Sequence, residues 1–214
     1  MLSTYYVKFS KYTNIKFNSH IIRKGIIIMP NHIKNVWKFK NLTQENIQFI
    51  LNNITKKLDR NGNEILNNSD IPVYSHIIDF DKIIPQPKSK KDCPTKFINK
   101  YDISNDPNDK EKSWLNWYDW NITYWGTKWN AYDEYTIVDK TSVTFVFNTA
   151  WSFPEPIANA LSKFNFDLEI KFADEDLGNN CGILEYSHNK WKVQLEDVLP
   201  NPYNFAISLW NDYD

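Results

Sequence analysis

A chain of 214 residues and 25.5 kDa has room for one sizeable core, since domains commonly run about 100–200 residues. Its 42% hydrophobic and 24% charged residues exclude bulk disorder, and no apolar run approaches the roughly 20 residues of a bilayer-spanning helix. Its 25 basic side chains are balanced by 26 acidic ones and include only two arginines, Arg23 and Arg60, which counts against nucleic acid or an anionic membrane as a partner, because arginine is the usual bidentate reader of phosphate and guanine.

Residues 1–28 carry scattered aromatics and lysines without a clear period. Lys24-Gly25 can be encoded by a purine-rich stretch placed where a ribosome-binding site would precede the Met29 codon, so 1–28 is expected to be an N-terminal extension and a candidate translated leader. A genuine strand pair using Tyr5, Val7, Phe9, Ile15 and Phe17 is the alternative. Asn31 to Phe39 alternates, with Ile33, Asn35, Trp37 and Phe39 on one face, as in a half-buried strand. Thr43 is a helix N-cap, and Ile47, Ile50, Leu51 and Ile54 follow at helical spacing to about Lys57. A polar loop around Gly62 comes next. Val73 to Ile84 predicts a second strand, stopped by Pro85-Gln86-Pro87. Residues 86–113 predict a long exposed insertion.

Asp109 to Trp120 predicts a helix in which Trp114, Trp117 and Trp120 recur every three residues, a spacing that spreads the rings over a broad band. Gly126 allows a turn between Trp125 and Trp129. Thr141 to Phe147 alternates again and predicts a strand. Pro154 and Pro156 pre-set a helix whose buried stripe is Ile157, Leu161 and Phe164. Phe166, Leu168, Ile170 and Phe172 predict another strand, which leads into the acidic turn Asp174 to Asn180. Cys181 to Tyr186 and Lys190 to Leu195 read as a hairpin joined by Ser187-His188-Asn189, and a short helix spans Tyr203 to Trp210. Two strand–helix–strand units predict an α+β, ferredoxin-like (split βαβ) antiparallel sheet with helices on one face, plus a C-terminal hairpin and a Trp-rich helical insertion. Residues 29–214 are expected to form one domain with that insertion at about 86–130.

Several strings resemble the YubB-like, ferredoxin-like-domain proteins of bacterial plasmids and phages. They are Met29-Pro30-Asn31-His32-Ile33-Lys34-Asn35, Phe80-Asp81-Lys82-Ile83-Ile84-Pro85-Gln86-Pro87, Trp125-Gly126-Thr127-Lys128-Trp129-Asn130-Ala131 and Phe147-Asn148-Thr149-Ala150-Trp151-Ser152-Phe153-Pro154-Glu155-Pro156. The last two are the most specific, and the resemblance covers about 29–185. It implies the fold and a mobile-element origin, and it implies no reaction. The N-terminal extension and the insertion depart from it.

The chemistry-bearing motifs are few. Two cysteines, Cys93 and Cys181, do not make a disulfide framework, so a reducing cytoplasm of the host cell is the expected location. His20, His32, His76 and His188 fall in four separate segments without metal-ligand spacing, so no metal is expected. Five glycines form no phosphate loop, and no cofactor is expected. Asp174, Glu175 and Asp176 are candidate catalytic carboxylates, with a solvated acidic turn as the alternative. Six of the nine tryptophans lie between 114 and 151, where a ring buries a large area and its N–H seeks a partner. The candidate binding residues are Trp117, Trp120, Trp125, Lys128, Trp129 and Trp151, with a structural core as the alternative for most of the rings.

The expected function is a non-enzymatic, phage- or plasmid-derived protein that binds an unidentified host protein, including as a counter-defence inhibitor. The alternatives are a single-stranded nucleic-acid binder that stacks bases on sheet aromatics and a hydrolase using residues 174–176.

Overall fold

A computed structural model describes residues 31–65, 71–99 and 115–213. The readings of residues 1–30 and of Trp114 lie outside the described residues, as does much of the 86–113 insertion. The fold centres on β1 (His32–Lys40), whose alternation drives Ile33, Asn35, Trp37 and Phe39 to full burial on one face. Burying a ring such as Trp37 or Phe39 stabilises by roughly 2–3 kcal/mol each, and the polar groups that come with them are paired. Asn35 donates to the Ile33 carbonyl at 2.9 Å and to Thr149 Oγ1 at 3.0 Å, while its Oδ1 accepts the Trp37 indole N–H at 3.3 Å.

Thr43 caps α1 (Gln44–Ile54) by accepting from the Asn46 N–H, and Ile47, Ile50, Leu51 and Ile54 form its buried stripe. The sheet is completed by β4 (Tyr132–Val138), β5 (Val143–Ala150), β6 (Asp167–Asp174), β7 (Cys181–Ser187) and β8 (Lys190–Leu195), in the order β4-β5-β1-β6-β7-β8, antiparallel throughout. Pro154 precedes α4 (Glu155–Leu161), and Ile157, Ala158 and Leu161 join the α1 stripe in one core over β1, β5 and β6. The units β1–α1–β4 and β5–α4–β6 interleave as β6-β1-β5-β4, which is the split βαβ arrangement. His188 and Asn189, at φ 49° and 60°, make the two-residue turn between β7 and β8.

Two expected elements fall differently. The first helix ends at Ile54, and Thr55 opens β2 (Thr55–Leu58), which pairs with β3 (Ser75–Ile78) in a separate two-stranded sheet. The extended reading of 73–84 stops at Ile78, because Asp79 accepts from the Asp81 N–H and caps a short helix, α2 (Phe80–Ile83). The second strand of the first split unit is therefore β4. A register shift between Tyr132 and Tyr135, with Asp133 at φ 49°, breaks its alternation in the sequence.

The remaining helices also adjust the expected boundaries. Asn116 caps α3 (Trp117–Tyr124), so this helix begins later than Asp109 and runs past Trp120. Asn201 caps α5 (Pro202–Asp212), whose Ala206 and Leu209 pack on Val36, Val146, Ala173 and Cys181. By strand alternation these lie on the sheet face opposite α1 and α4. Cys93 and Cys181 are both buried and free. Among the described residues, no helix is long and apolar enough to cross a membrane.

Candidate functional site

The two most specific Trp strings form one structural unit at the end of the sheet where β5 leaves and β1 enters. Thr127, fully buried, donates through Oγ1 to the Ala150 carbonyl at 2.8 Å and accepts from the Ala150 N–H at 3.1 Å. Ser152 Oγ donates to the Gly126 carbonyl, and the buried Asn121 donates to the Lys128 carbonyl at 2.9 Å. Gly126 turns at φ 78°, where a Cβ would lie 2.6 Å from Pro156 Cδ. These contacts dock the 125–130 turn onto the β5–α4 corner.

Docking divides the tryptophans. Trp120 and Trp125, only 3% and 4% exposed, belong to the core. They meet edge to face at 5.6 Å, Trp125 packs on Phe80 at 6.0 Å, and its indole N–H donates to the Ile84 carbonyl at 2.9 Å. By contrast, Trp117 is 44% exposed, Trp129 39%, and Tyr118 and Trp151 37% each. These four rings form an arc at the surface. Trp117 meets Tyr118 at 6.0 Å, and Tyr118 meets Trp151 at 6.1 Å. The Lys128 ammonium lies 4.7 Å from the Trp151 ring centroid and 4.4 Å from that of Trp129, a cation–π clasp on two sides.

Beyond Trp129 the arc continues to Tyr132 at 6.1 Å and to His32 at 5.7 Å, with Tyr132 Oη 2.8 Å from His32 Nδ1. Burial, with Asp133 and Glu175 adding to it, pushes the Tyr132 phenol up to about 12, so it stays protonated and can donate to His32. Of the candidate binding residues, the structure thus brings together Trp117, Lys128, Trp129 and Trp151 and places Trp120 and Trp125 in the interior. The sequence reading passed over Tyr118 and Tyr132 and weighed His32 only as a metal ligand. The signal for Tyr118 was its place beside Trp117 in the first turn of a helix capped by Asn116.

Trp151 has φ 73°, a left-handed conformation that is an outlier for a bulky residue. Its backbone N–H donates to the Asn31 carbonyl at 2.9 Å. Asn31 in turn donates through Nδ2 to Asp174 Oδ1 at 3.1 Å, so the first residues of the β1 segment tie the Trp151 corner to the acidic turn.

The three candidate carboxylates are engaged by that turn and its neighbours. Asp174, buried, also accepts from the Asp176 N–H at 2.8 Å and from Asn180 Nδ2 at 3.2 Å. Glu175 accepts from the His32 N–H at 3.1 Å, and Asp176 accepts from Asn179 Nδ2 at 3.1 Å. This is how a carboxylate organises a loop. Asp174→Ala is expected to cost about 1–3 kcal/mol in a denaturant titration by removing a buried acceptor of three part-buried hydrogen bonds, and an unchanged midpoint would contradict the structural role. Among the described residues no group of three His, Cys, Asp or Glu side chains converges as a metal would require.

The aromatics of the central strands, Trp37, Phe39, Phe145, Phe147 and Phe172, all lie in the core shared with α1 and α4. On β1, β5 and β6 the opposite face, partly covered by α5, carries one ring, the His32 imidazole, which is engaged by Tyr132.

Within this topology, residues 124–207 match the family described as "Ferredoxin-like domain in Api92-like protein". The chain carries a ferredoxin-like domain. The matched stretch runs from the last residue of α3 into α5, so it includes Lys128, Trp129, Trp151 and the 174–176 turn, whereas β1, α1 and the Trp117-Tyr118 pair of the domain lie before it. Comparison with curated proteins and with solved structures gives no match.

Proposed function

We propose that the protein is a non-enzymatic binding protein that engages a protein partner through the arc of Trp117, Tyr118, Trp151, Lys128 and Trp129. The observation that carries this reading is Trp151. Holding a non-glycine residue in left-handed backbone costs on the order of 1–3 kcal/mol, yet the ring so placed stays 37% exposed. Strain that seats an exposed indole is not a core-packing solution, and tryptophan and tyrosine are favoured anchors of protein interfaces. The finer reading, a phage- or plasmid-borne chain whose partner is a host protein and whose role is counter-defence, rests on the resemblance to the YubB-like proteins.

The test compares tagged wild-type protein with the triple variant Trp117→Ala, Trp129→Ala, Trp151→Ala in affinity purification from the native host, with melting curves confirming that both fold. The expected result is a protein captured stoichiometrically by the wild type and lost from the variant. Capture of the same proteins by both, or of chaperones alone, would overturn the proposal.

A further inference from the structure

The charge inside the arc, Lys128, is set apart by what lies beside it, an indole face on either side. The charged groups of the neighbouring segments are mostly negative: Asp119 follows Tyr118, Asp133 follows Tyr132, and Glu155 starts α4 beside Gly126. Even so, among the described residues Lys128 has no carboxylate within ion-pairing distance, and its ammonium has the two indole faces instead. Asp119 is hydrogen-bonded to Asn116 at 2.6 Å, and Asp133 accepts from Asn148 at 3.4 Å. Ring faces attract a cation but do not neutralise it, and they displace water that would otherwise screen it. A cation held this way keeps its capacity for an anionic hydrogen-bond acceptor, in a site whose walls favour apolar neighbours.

We propose that Lys128 is the specificity element of the surface and that it receives an acidic side chain, Asp or Glu, presented by an apolar segment of the partner. The inference rests on the protein-binding reading above and adds the chemistry of what is bound. A partner cation is disfavoured because the space between Trp129 and Trp151 already holds one. A nucleic-acid backbone is disfavoured because one lysine would face repeated phosphates in segments that also carry Asp119, Asp133 and Glu155.

The experiment follows the indole N–H resonances of Trp129 and Trp151 by NMR in the whole protein. The probes are the blocked tripeptides acetyl-Leu-Glu-Leu-amide, acetyl-Leu-Gln-Leu-amide and acetyl-Leu-Lys-Leu-amide, each with one central polar side chain between apolar neighbours, and an oligothymidylate. The Glu peptide is expected to shift both indoles saturably and to bind about five- to ten-fold more tightly than the Gln peptide, as a charge-assisted contact does. That preference should shrink with added salt and vanish in Lys128→Gln, whose folding is checked by its melting curve. The Lys peptide and the oligonucleotide should leave the resonances in place. Equal binding of the Glu and Gln peptides, a preference for Lys, saturable shifts with oligothymidylate, or no shift with any probe would each overturn the inference. If the triple tryptophan variant still loses its captured protein, such a failure removes the acidic anchor and leaves the protein-binding reading intact.

Discussion

Glu134→Gln is expected to raise the melting temperature at pH 7 by about 5–10 °C, the equivalent of roughly 3 kcal/mol for a domain of this size. Glu134 lies on β4 beside Asp79, and its Oε2 is buried without a hydrogen-bond partner among the described residues. Asp79 is itself buried. Its Oδ1 accepts from Asn130 at 2.7 Å and from the Asp81 N–H at 3.1 Å, and its Oδ2 lies 3.7 Å from Lys56 Nζ. One lysine thus faces two carboxylates. Burial first, then Asp79 and more weakly Asp133, push the Glu134 carboxyl up to about 8, against the opposing pull of Lys56 and the Ile78 N–H.

A carboxyl raised in the folded state binds a proton that the unfolded chain has released. Stability therefore falls as pH rises from the ordinary carboxylate value of about 4.5 towards about 8, and the loss is complete above that. Glutamine cannot ionise. The advantage of the variant should be near zero at pH 4, grow through neutrality and level off in mild alkali. Thermal denaturation of both proteins across this range checks it, and parallel pH profiles would show that Glu134 titrates as an ordinary carboxyl.

Gly126→Ala is expected to lose about 2–4 kcal/mol, from a left-handed backbone cost of about 1–2 kcal/mol and the overpacking of a new methyl. At φ 78° the added Cβ would lie 2.6 Å from Pro156 Cδ and 3.4 Å from the Glu155 nitrogen, atoms of a rigid ring and a backbone that cannot swing aside. Gly62 supplies the control. It has φ 79° but nothing within 4 Å of an added methyl, so Gly62→Ala should show the backbone cost alone. Denaturant midpoints of the two variants separate the contributions, and equal losses would mean that the 125–130 turn is not clamped against α4. Because that turn also carries Lys128 and Trp129, the near-ultraviolet circular dichroism of Gly126→Ala should change while that of Gly62→Ala should not.

Much of the architecture is legible from local pattern. The alternation of Ile33, Asn35, Trp37 and Phe39, the Thr43 cap, the stripe of α1 and the β7–β8 hairpin each follow from a period or a turn residue, and each stands in the structure at those positions; the α4 stripe keeps Ile157 and Leu161 but gains Ala158 in place of Phe164, because the helix ends at Leu161 and Phe164 falls in the turn after it. β4 escaped notice because its bulge at Asp133 and Glu134 interrupts the two-residue period. The 73–84 stretch read as one strand because Ile77, Ile78, Ile83 and Ile84 look continuous until the Asp79 cap is recognised.

For the surface, the sequence by itself determined that the tryptophans cluster, that the Trp125–Ala131 and Phe147–Pro156 strings are special, and that Lys128 is a binding candidate among the rings. It could not sort the rings, because an indole is equally suited to a core and to an interface. Only the tertiary structure decided this. Hydrogen bonds of Thr127 and Ser152 join residues of the two strings that are more than twenty positions apart; the join sends Trp120 and Trp125 inward to Phe80 and Ile84 and leaves Trp129 and Trp151 outside on either side of Lys128. Which side of a packed corner a ring occupies depends on what the fold brings against it, and that neighbour lies far away in the chain.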